Sequence, residues 1–427
     1  MTFDRNILVL REYESVTIGP RWDPMNKIVP PSMVAELECL QADRGIELLS
    51  VFRRRVQARN FVGVVRVGAH AIEILPKTDL ADDATRRRLV EMLSIAGTLP
   101  QLDCGIADLS VSTPCLLDAF MRAYTQQLTM EWHRGRIANY RRVDQNRSCL
   151  RGKLLFAEHF RRNQLRPERF FTRADQFLTD VCPSRLLKAG LDVCRQHGTS
   201  DQTRRDAAAL LPEFDEVSNQ AFTDADLDAI KTDRRIARFD PLLNLAKMFL
   251  RGRVPDRPGH AATYSLLFDM NSIFEQYIGR LVQRVCSSPL RVQMQVVQQS
   301  LVTKEGKRRF LLRPDIAVRK GSKIQCLIDT KWKRLDLQKA HQGVRQSDMY
   351  QAYAYAREYD CPVVVLLYPR FGELAPNVAS YRLRSMNGLQ PQIRIDTVDV
   401  SAPAHVVVNE LKTLLASICG QDARQAP

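Results

Sequence analysis

The sequence has no closely spaced cysteine pair, no long hydrophobic run and no glycine-rich phosphate-binding motif. Its 10 cysteines include no CxxC pair, so reduced, mostly buried thiols are predicted rather than a disulfide framework or zinc site. The most apolar short run, residues 363–367, is too short to span a bilayer and is typical of a buried strand. No GxxxxGK[ST] motif occurs, so the chain is not expected to hydrolyse a nucleoside triphosphate itself.

The amino terminus carries early charges and lacks the apolar core of a signal peptide, so a cytoplasmic protein is expected. A length of 427 residues, 45% of them hydrophobic, allows two or more globular domains. An excess of 63 Lys and Arg over 48 Asp and Glu gives a formal charge of +15. That excess favours a polyanionic partner, although many basic proteins are merely soluble.

Three regions differ in pattern. Residues 1–110 are predicted to form a β-rich domain that closes with a helix, and residues 111–255 a mainly helical region, so that this amino-terminal part is α+β. A linker is predicted at 251–259, where two prolines and two glycines interrupt the pattern. Residues 256–427 alternate helices and strands, which predicts an α/β domain with a mixed sheet flanked by helices.

The segment 311–333 carries the chemistry. Two strand-like runs flank Gly321-Ser-Lys323, which predicts a hairpin. If those three residues form the loop, Asp315 lies opposite Asp329 on one face, and Lys331 shares that face by the period of two. A loop of two residues would instead place the carboxylates on opposite faces.

Two opposed carboxylates repel one another unless a cation lies between them, and carboxylate oxygens suit Mg²⁺. A lysine beside them can orient or deprotonate an attacking water and stabilise charge on a phosphate. Pro314-Asp315 followed by Asp329-Thr-Lys331 is the PD-(D/E)xK nuclease pattern. The pattern is short, and surface ion pairs would also explain these residues.

Glu275 is a candidate third acidic residue, catalytic and metal-binding. It lies on a helix predicted at 266–285, within an apolar stripe where an unpaired carboxylate is costly. An ion pair with Arg280 is the alternative explanation.

A second helix, predicted at 347–356, places Gln351 and Tyr355 one turn apart. This spacing resembles the helix that borders the active site of RecB-like nucleases. Packing alone would also explain the tyrosine.

The chain resembles the McrC family, the nuclease partner of a GTP-hydrolysing AAA+ ring. The carboxy-terminal resemblance rests on Phe268-Asp-Met-Asn-Ser-Ile-Phe-Glu-Gln-Tyr277, Leu312-Arg-Pro-Asp-Ile316, Asp329-Thr-Lys-Trp-Lys333 and Asp348-Met-Tyr-Gln-Ala-Tyr-Ala-Tyr355. The amino-terminal resemblance rests on Phe61-Val-Gly-Val-Val65, Ile72-Glu-Ile-Leu-Pro-Lys77 and Leu150-Arg-Gly-Lys-Leu-Leu-Phe156. The polar segment 197–233 matches no family pattern and looks like loops or an insertion.

The resemblance implies a Mg²⁺-dependent endodeoxyribonuclease of a McrBC-type restriction system, which cuts modified-cytosine DNA. It also implies a McrB-like AAA+ GTPase hexamer as partner, docked on the amino-terminal region, with self-association through the nuclease domain as a further expectation. The family's metal-site residues carry over to Asp315, Asp329 and Lys331, with Glu275 as a fourth. Two alternatives stay open: a catalytically silent adaptor of the motor, and a free-standing DNA repair nuclease of RecB type.

Overall fold

The computed structural model describes residues 6–100, 113–231, 234–254, 261–384 and 390–419. The chain divides into two compact units. Unit 1 comprises Met1–Leu99, Ser110–Leu116 and Asp256–Pro427, and unit 2 comprises Pro100–Leu109 and Leu117–Pro255. Among the described residues, no helix has both the length and the apolar character that crossing a bilayer requires. The eight cysteines with described side chains are free thiols, and four of them are buried.

Unit 1 begins with two four-stranded sheets. The first has the order β3-β2-β5-β4, and the second has the order β1-β7-β6-β11. Their strands are β1 (Ile7–Arg11), β2 (Ser15–Ile18), β3 (Ile28–Val29), β4 (Leu49–Val51), β5 (Arg55–Ala58), β6 (Phe61–Val67), β7 (His70–Leu75) and β11 (Thr263–Asp269). Helices α1 (Pro31–Arg44) and α2 (Asp82–Ala96) follow β3 and β7. The β-rich start with a closing helix, predicted from sequence, is therefore present.

Unit 2 contains a three-stranded sheet of order β8-β10-β9 and a group of helices. The strands are β8 (Asn139–Arg147), β9 (Lys153–Leu154) and β10 (Phe170–Leu178). The helices are α3 (Leu116–Arg134, which begins at the unit boundary), α4 (Phe156–Asn163), α5 (Cys182–His197), α6 (Asp201–Leu210), α7 (Asp224–Ala229) and α8 (Asp240–Arg251).

The polar segment 197–233, predicted as loops, is partly helical. Helices α6 and α7 both lie in it, and residues 232–233 lie outside the described residues. The buried carboxylate of Asp118 accepts hydrogen bonds from the backbone N–H groups of Thr199 and Ser200, at 3.1 and 3.2 Å. The prediction of loops was wrong here because a buried carboxylate on another helix fixes the turn that starts α6.

The carboxy-terminal part of unit 1 is a six-stranded mixed sheet of order β12-β15-β16-β17-β19-β18, with a separate hairpin β13–β14. The strands are β12 (Leu290–Met294), β13 (Gln299–Lys304), β14 (Lys307–Leu312), β15 (Ile316–Lys320), β16 (Lys323–Thr330), β17 (Val363–Pro369), β18 (Asn377–Arg382) and β19 (Gln392–Val398). The helices are α9 (Met270–Val285), α10 (Gln346–Glu358) and α11 (Ala404–Cys419).

Strand β17 is buried along its whole length and pairs in parallel with β16 and β19. On one face, Val364 and Leu366 pack with Ala352 and Tyr355 of α10. Helices α9 and α11 also pack against β16. The predicted mixed sheet flanked by helices is thus confirmed, and the apolar run at 363–367 is its central strand.

The helix predicted to begin at Leu266 begins instead at Met270. Residues Thr263–Asp269 form β11, which pairs antiparallel with β6, and the Asp269 side chain caps α9 by accepting from Asn271 N at 3.0 Å. A short apolar run does not by itself distinguish a strand from a buried helix, and pairing with a distant strand decided the matter. Strand β11 belongs to the range 256–427 but pairs with β6 of the range 1–110, and both ranges lie in unit 1. The boundary near 255 separates the units, and residues 255–259 of the predicted linker lie outside the described residues.

Candidate active site

The two predicted aspartates meet at the end of the central hairpin. Ile316 at the start of β15 pairs with Ile328 of β16, so Asp315, directly before β15, falls opposite Asp329. Strand β16 is held from its other side by β17, where Asp329 pairs with Leu366. The acidic pair therefore sits where a buried central strand ends.

The predicted register is present, but not through the predicted loop. Lys320 pairs with Lys323, which leaves only Gly321 and Ser322 in the turn, and Gly321 has a φ of +61°. A two-residue turn alone would have moved Asp315 out of register with Asp329. A bulge corrects the offset, because the register shifts between Val318 and Arg319, and one extra residue is accommodated in β16. The three-residue loop was therefore wrong, whereas the opposition of the carboxylates holds.

Asp329 is buried and Asp315 is half-buried. Asp329 is 1% exposed, and burial together with the nearby charge of Asp315 raises its pKa to about 7, against the opposing effect of Lys331. Burial also raises the pKa of Asp315, although hydrogen bonds from Thr330 act in the other direction. Two carboxylates that each resist ionisation form a site that favours a cation.

Lys331 connects this pair to helix α10. Its ammonium group forms an ion pair with Asp329 Oδ2 and donates to Gln351 Oε1 at 3.0 Å. Gln351 in turn donates through Nε2 to the hydroxyl of Tyr355 at 2.7 Å. Burial, and then the charge of Asp329, raises the pKa of Tyr355, so it stays a neutral phenol. The structure thus brings together Lys331, Gln351 and Tyr355, the lysine and two bordering residues selected from sequence.

Glu275 lies nearby on α9 but has a different partner from the one considered. Gln295 Nε2 donates to its Oε1 at 2.7 Å, and among the described residues no ion pair joins Glu275 to Arg280. Burial raises the pKa of Glu275, and the charge of Asp315 adds to that effect. Gln295 also donates from its backbone N to Asp315 O at 2.7 Å, so one residue links Glu275 to the aspartate strand.

The donor set fits a divalent cation held by two carboxylates. In the described part of the chain, no three His, Cys, Asp or Glu side chains stand together as a metal-binding group, and the metal-binding role expected of Glu275 stays a prediction. Buried Asp329 Oδ2 accepts no hydrogen bond of normal geometry, although Lys331 pairs with it. Mg²⁺ commonly takes one or two carboxylates and completes its shell with water and phosphate oxygens. Asp315 and Asp329 meet that requirement.

Thr330 is a site residue that the sequence analysis missed. Its backbone N and its Oγ1 both donate to Asp315 Oδ2, each at 2.7 Å. These bonds fix the carboxylate of Asp315 and leave Oδ1 for another partner. Its position between Asp329 and Lys331 was the only sequence signal. A residue between two others on a strand points to the opposite face, so contact with Asp315 was not expected.

The amino-terminal sheets hold the segment after Lys331 from the other side. Trp332 is buried, and its Nε1 donates to both oxygens of Glu12, at 3.1 and 2.8 Å. Lys77 donates through Nζ to the Trp332 carbonyl oxygen at 3.0 Å. Burial raises the pKa of Glu12 to about 7, while Lys77 acts to lower it. Lys77 belongs to one of the motifs that carry the amino-terminal resemblance, and here it supports the segment that follows β16.

A family model described as McrBC 5-methylcytosine restriction system component matches residues 56–369. The chain belongs to this family. Its membership in the McrBC family, expected from the motifs, is confirmed, and the matched range includes every candidate site residue from Glu275 to Tyr355. A search of curated proteins found no match.

Two solved structures share the McrBC-family fold. One is a half-complex from a tetradecameric assembly of Thermococcus gammatolerans McrB AAA+ hexamers with bound McrC. Its TM-score is 0.77 at 18% sequence identity, and the match covers 96% of this chain and 100% of that chain. The other is the Thermococcus gammatolerans McrBC complex, with a TM-score of 0.54 at 20% identity, covering 66% of this chain and 88% of that chain. At such identities the likeness establishes a common fold.

Proposed function

We propose that this McrBC-family chain is the metal-dependent DNA endonuclease subunit of its restriction system. The observation that carries the proposal is the register of the central hairpin, which sets Asp315 opposite Asp329 with Lys331 two residues further along. Opposed carboxylates, one of them buried, are costly in a folded chain, and perturbed pKa values of this kind cluster at sites that bind a cation or exchange protons. The 5-methylcytosine in the family description points to modified DNA as the substrate.

Each residue has a distinct role in this proposal. Asp315 and Asp329 would hold Mg²⁺, with Asp315 oriented by its two hydrogen bonds from Thr330. A bound Mg²⁺ supplies Lewis acidity toward the scissile phosphate and lowers the pKa of a coordinated water. Lys331, held by Gln351, would orient the attacking water and offset the negative charge that develops on phosphorus. Glu275 would act from a greater distance, since it is tied to Gln295.

The partner in this proposal is a McrB-like AAA+ GTPase hexamer. Its support is the likeness to chains solved in assemblies of McrB AAA+ hexamers with bound McrC. On this basis the motor would consume the nucleotide, and this chain would cut when the motor presents DNA.

A catalytically silent adaptor is the second candidate. The observation in its favour is that no third acidic side chain completes a metal-binding group with the two aspartates, among the residues that the structure describes. The structural cost of keeping Asp329 buried beside Asp315 argues against it, because an adaptor gains nothing from the pair.

The test is cleavage by the complex of this chain with its AAA+ partner, on methylated and unmethylated DNA, with Mg²⁺ and with GTP or ATP. Asp329→Ala should abolish cleavage without loss of the complex. Asp336→Asn, at a half-buried aspartate seven residues further along, is the matched control and should cut normally. Cleavage that persists in a folded Asp329→Ala complex would refute the nuclease assignment, and cleavage by the wild-type chain alone would indicate a free-standing enzyme.

A further inference from the structure

The hairpin β13–β14 stands apart from the six-stranded sheet as a two-stranded sheet of its own. Its turn is Glu305-Gly306, with φ values of +54° and +71°. Nearly every residue of both strands is exposed on both faces, and Phe310 is 74% exposed. An isolated two-stranded hairpin is at best marginally stable in water, so this arm needs either an anchor or a partner.

The anchor lies at its root. The hydroxyl of buried Tyr359 lies within hydrogen-bonding distance of the carbonyl oxygens of Val296 and Leu312, at 3.0 and 2.9 Å. The same hydroxyl accepts from Gln298 N at 3.3 Å. The base of the hairpin is therefore fixed to helix α10 and its carboxy-terminal end, while the outer part projects into solvent.

The fixed end of the hairpin adjoins the candidate active site. Arg313 directly follows β14, donates to Gln295 Oε1, and is two residues from Asp315. Gln295 is also the residue that donates to Glu275. From Leu312 to Lys307 the strand extends roughly 17 Å outward at about 3.3 Å per residue. A polymer lying along this arm would therefore lead directly to Asp315.

The charge of the arm is almost wholly positive. Residues 304–313 contain five basic side chains against one acidic one, Glu305. In the described part of the chain, none of the five is in an ion pair with a carboxylate. Lys304 pairs with Lys307 across the strands, and Arg309, paired with Val302, shares their face by alternation. Like charges that face each other across a hairpin destabilise it. A bound polyanion would neutralise them and remove that repulsion.

We propose that the hairpin β13–β14 is a DNA-binding arm that lies along the phosphate backbone of a duplex and guides it to the acidic pair. Lys304, Lys307 and Arg309, which share one face of the hairpin, would contact phosphates. The role as a guide rests on the proposed nuclease function, whereas DNA binding by the arm does not. A second copy of the chain fits less well, because two such arms would bring together like charges.

The test measures DNA binding separately from cleavage. The full-length chain is titrated into a fluorescein-labelled DNA duplex in EDTA, and the anisotropy is followed over a series of KCl concentrations. The variant Lys304→Thr/Lys307→Thr/Arg309→Thr removes the three charges and keeps residues that favour strands. The matched control neutralises three exposed cations elsewhere in unit 1: Arg382→Thr, Arg384→Thr and Lys412→Gln. Circular dichroism and thermal unfolding establish that both variants are folded.

Loss of three phosphate contacts should lower the slope of log K against log salt by roughly 2 to 3, with at least tenfold weaker binding at low salt. The control should retain the wild-type slope. An unchanged slope in the arm variant, or an equal loss in the control, overturns the proposal. So does a variant that binds DNA normally but loses self-association or the AAA+ partner, since the arm would then be a protein-binding surface. DNA binding that depends on the arm, in a complex that never cleaves, would refute the nuclease role alone.

Discussion

Asp329→Asn should stabilise the metal-free protein at alkaline pH, although it should abolish cleavage. Asp329 is 1% exposed, and its pKa in the folded chain is raised from 3.8 to about 7. Because the folded state binds the proton more tightly than the unfolded one, stability is lost as pH rises through the interval between these values. At 1.36 kcal/mol per unit the full penalty at about pH 8 is roughly 4 kcal/mol.

The observed gain should be smaller than this penalty. The pKa of about 7 already includes the attraction between Lys331 and the ionised carboxylate, so the penalty is the upper limit of the gain. We therefore expect a net stabilisation of up to about 4 kcal/mol at about pH 8, which falls to about 1–2 kcal/mol at about pH 5, because that pH still lies above the unfolded pKa.

The assay is urea unfolding of both proteins in EDTA at the two pH values, followed by addition of Mg²⁺. The metal should stabilise the wild type by mass action and leave the variant unchanged. Asp348→Asn is the control, because Asp348 is also buried but accepts two hydrogen bonds from Lys333, at 2.9 and 2.8 Å. This control should be destabilised at about pH 8. A similar destabilisation of Asp329→Asn at both pH values would refute the argument that the acidic pair is under electrostatic strain.

Three other substitutions test the supporting structure. Thr330→Val removes the hydroxyl that donates to Asp315. It should raise the Mg²⁺ concentration needed for cleavage, measured by metal titration, and lower the free energy of unfolding by about 1 kcal/mol, measured in urea. Thr330→Ser keeps the hydroxyl and should leave the Mg²⁺ requirement and the stability unchanged. Gly63→Ala places a Cβ 2.0 Å from a backbone oxygen of β11 at a φ of +126°. Thermal unfolding should therefore show a loss of at least ~3 kcal/mol in the free energy of unfolding. Gly321→Ala, whose Cβ has open space, should lose only about 1–2 kcal/mol. Glu73→Gln removes the buried carboxylate that pairs with Arg86 and leaves that guanidinium only its second ion-pair partner, Asp83. The substitution should cost roughly 3 kcal/mol, and a change below about 1 kcal/mol in urea unfolding would contradict this.

Strong local patterns predicted several elements of this fold. The run at 363–367 is the central strand, the alternating residues from Phe61 to Leu75 are β6 and β7, and the helix at 347–356 lies within α10. The prediction failed at Thr263–Asp269, where an apolar run suits a helix as well as a strand. Its pairing with β6, some two hundred residues earlier, is a contact that periodicity does not encode.

The sequence by itself determined which groups could do chemistry. An aspartate and a lysine two residues apart on a strand must share a face, so Asp329 and Lys331 were paired by the backbone's own period. The motifs around them also determined the family. These conclusions rest on the spacing of residues close together in the sequence, which can be interpreted without knowing how the rest of the chain folds.

Only the tertiary structure decided how the second aspartate reaches the first. The turn between β15 and β16 is one residue shorter than predicted, and a bulge restores the register. Such a bulge is selected by pairing with strands on both sides, because β12 and β17 fix where each of the two strands must lie. Thr330 and Gln295 entered the site in the same way. Their roles depend on atoms from distant elements arriving within hydrogen-bonding distance, which no local pattern specifies.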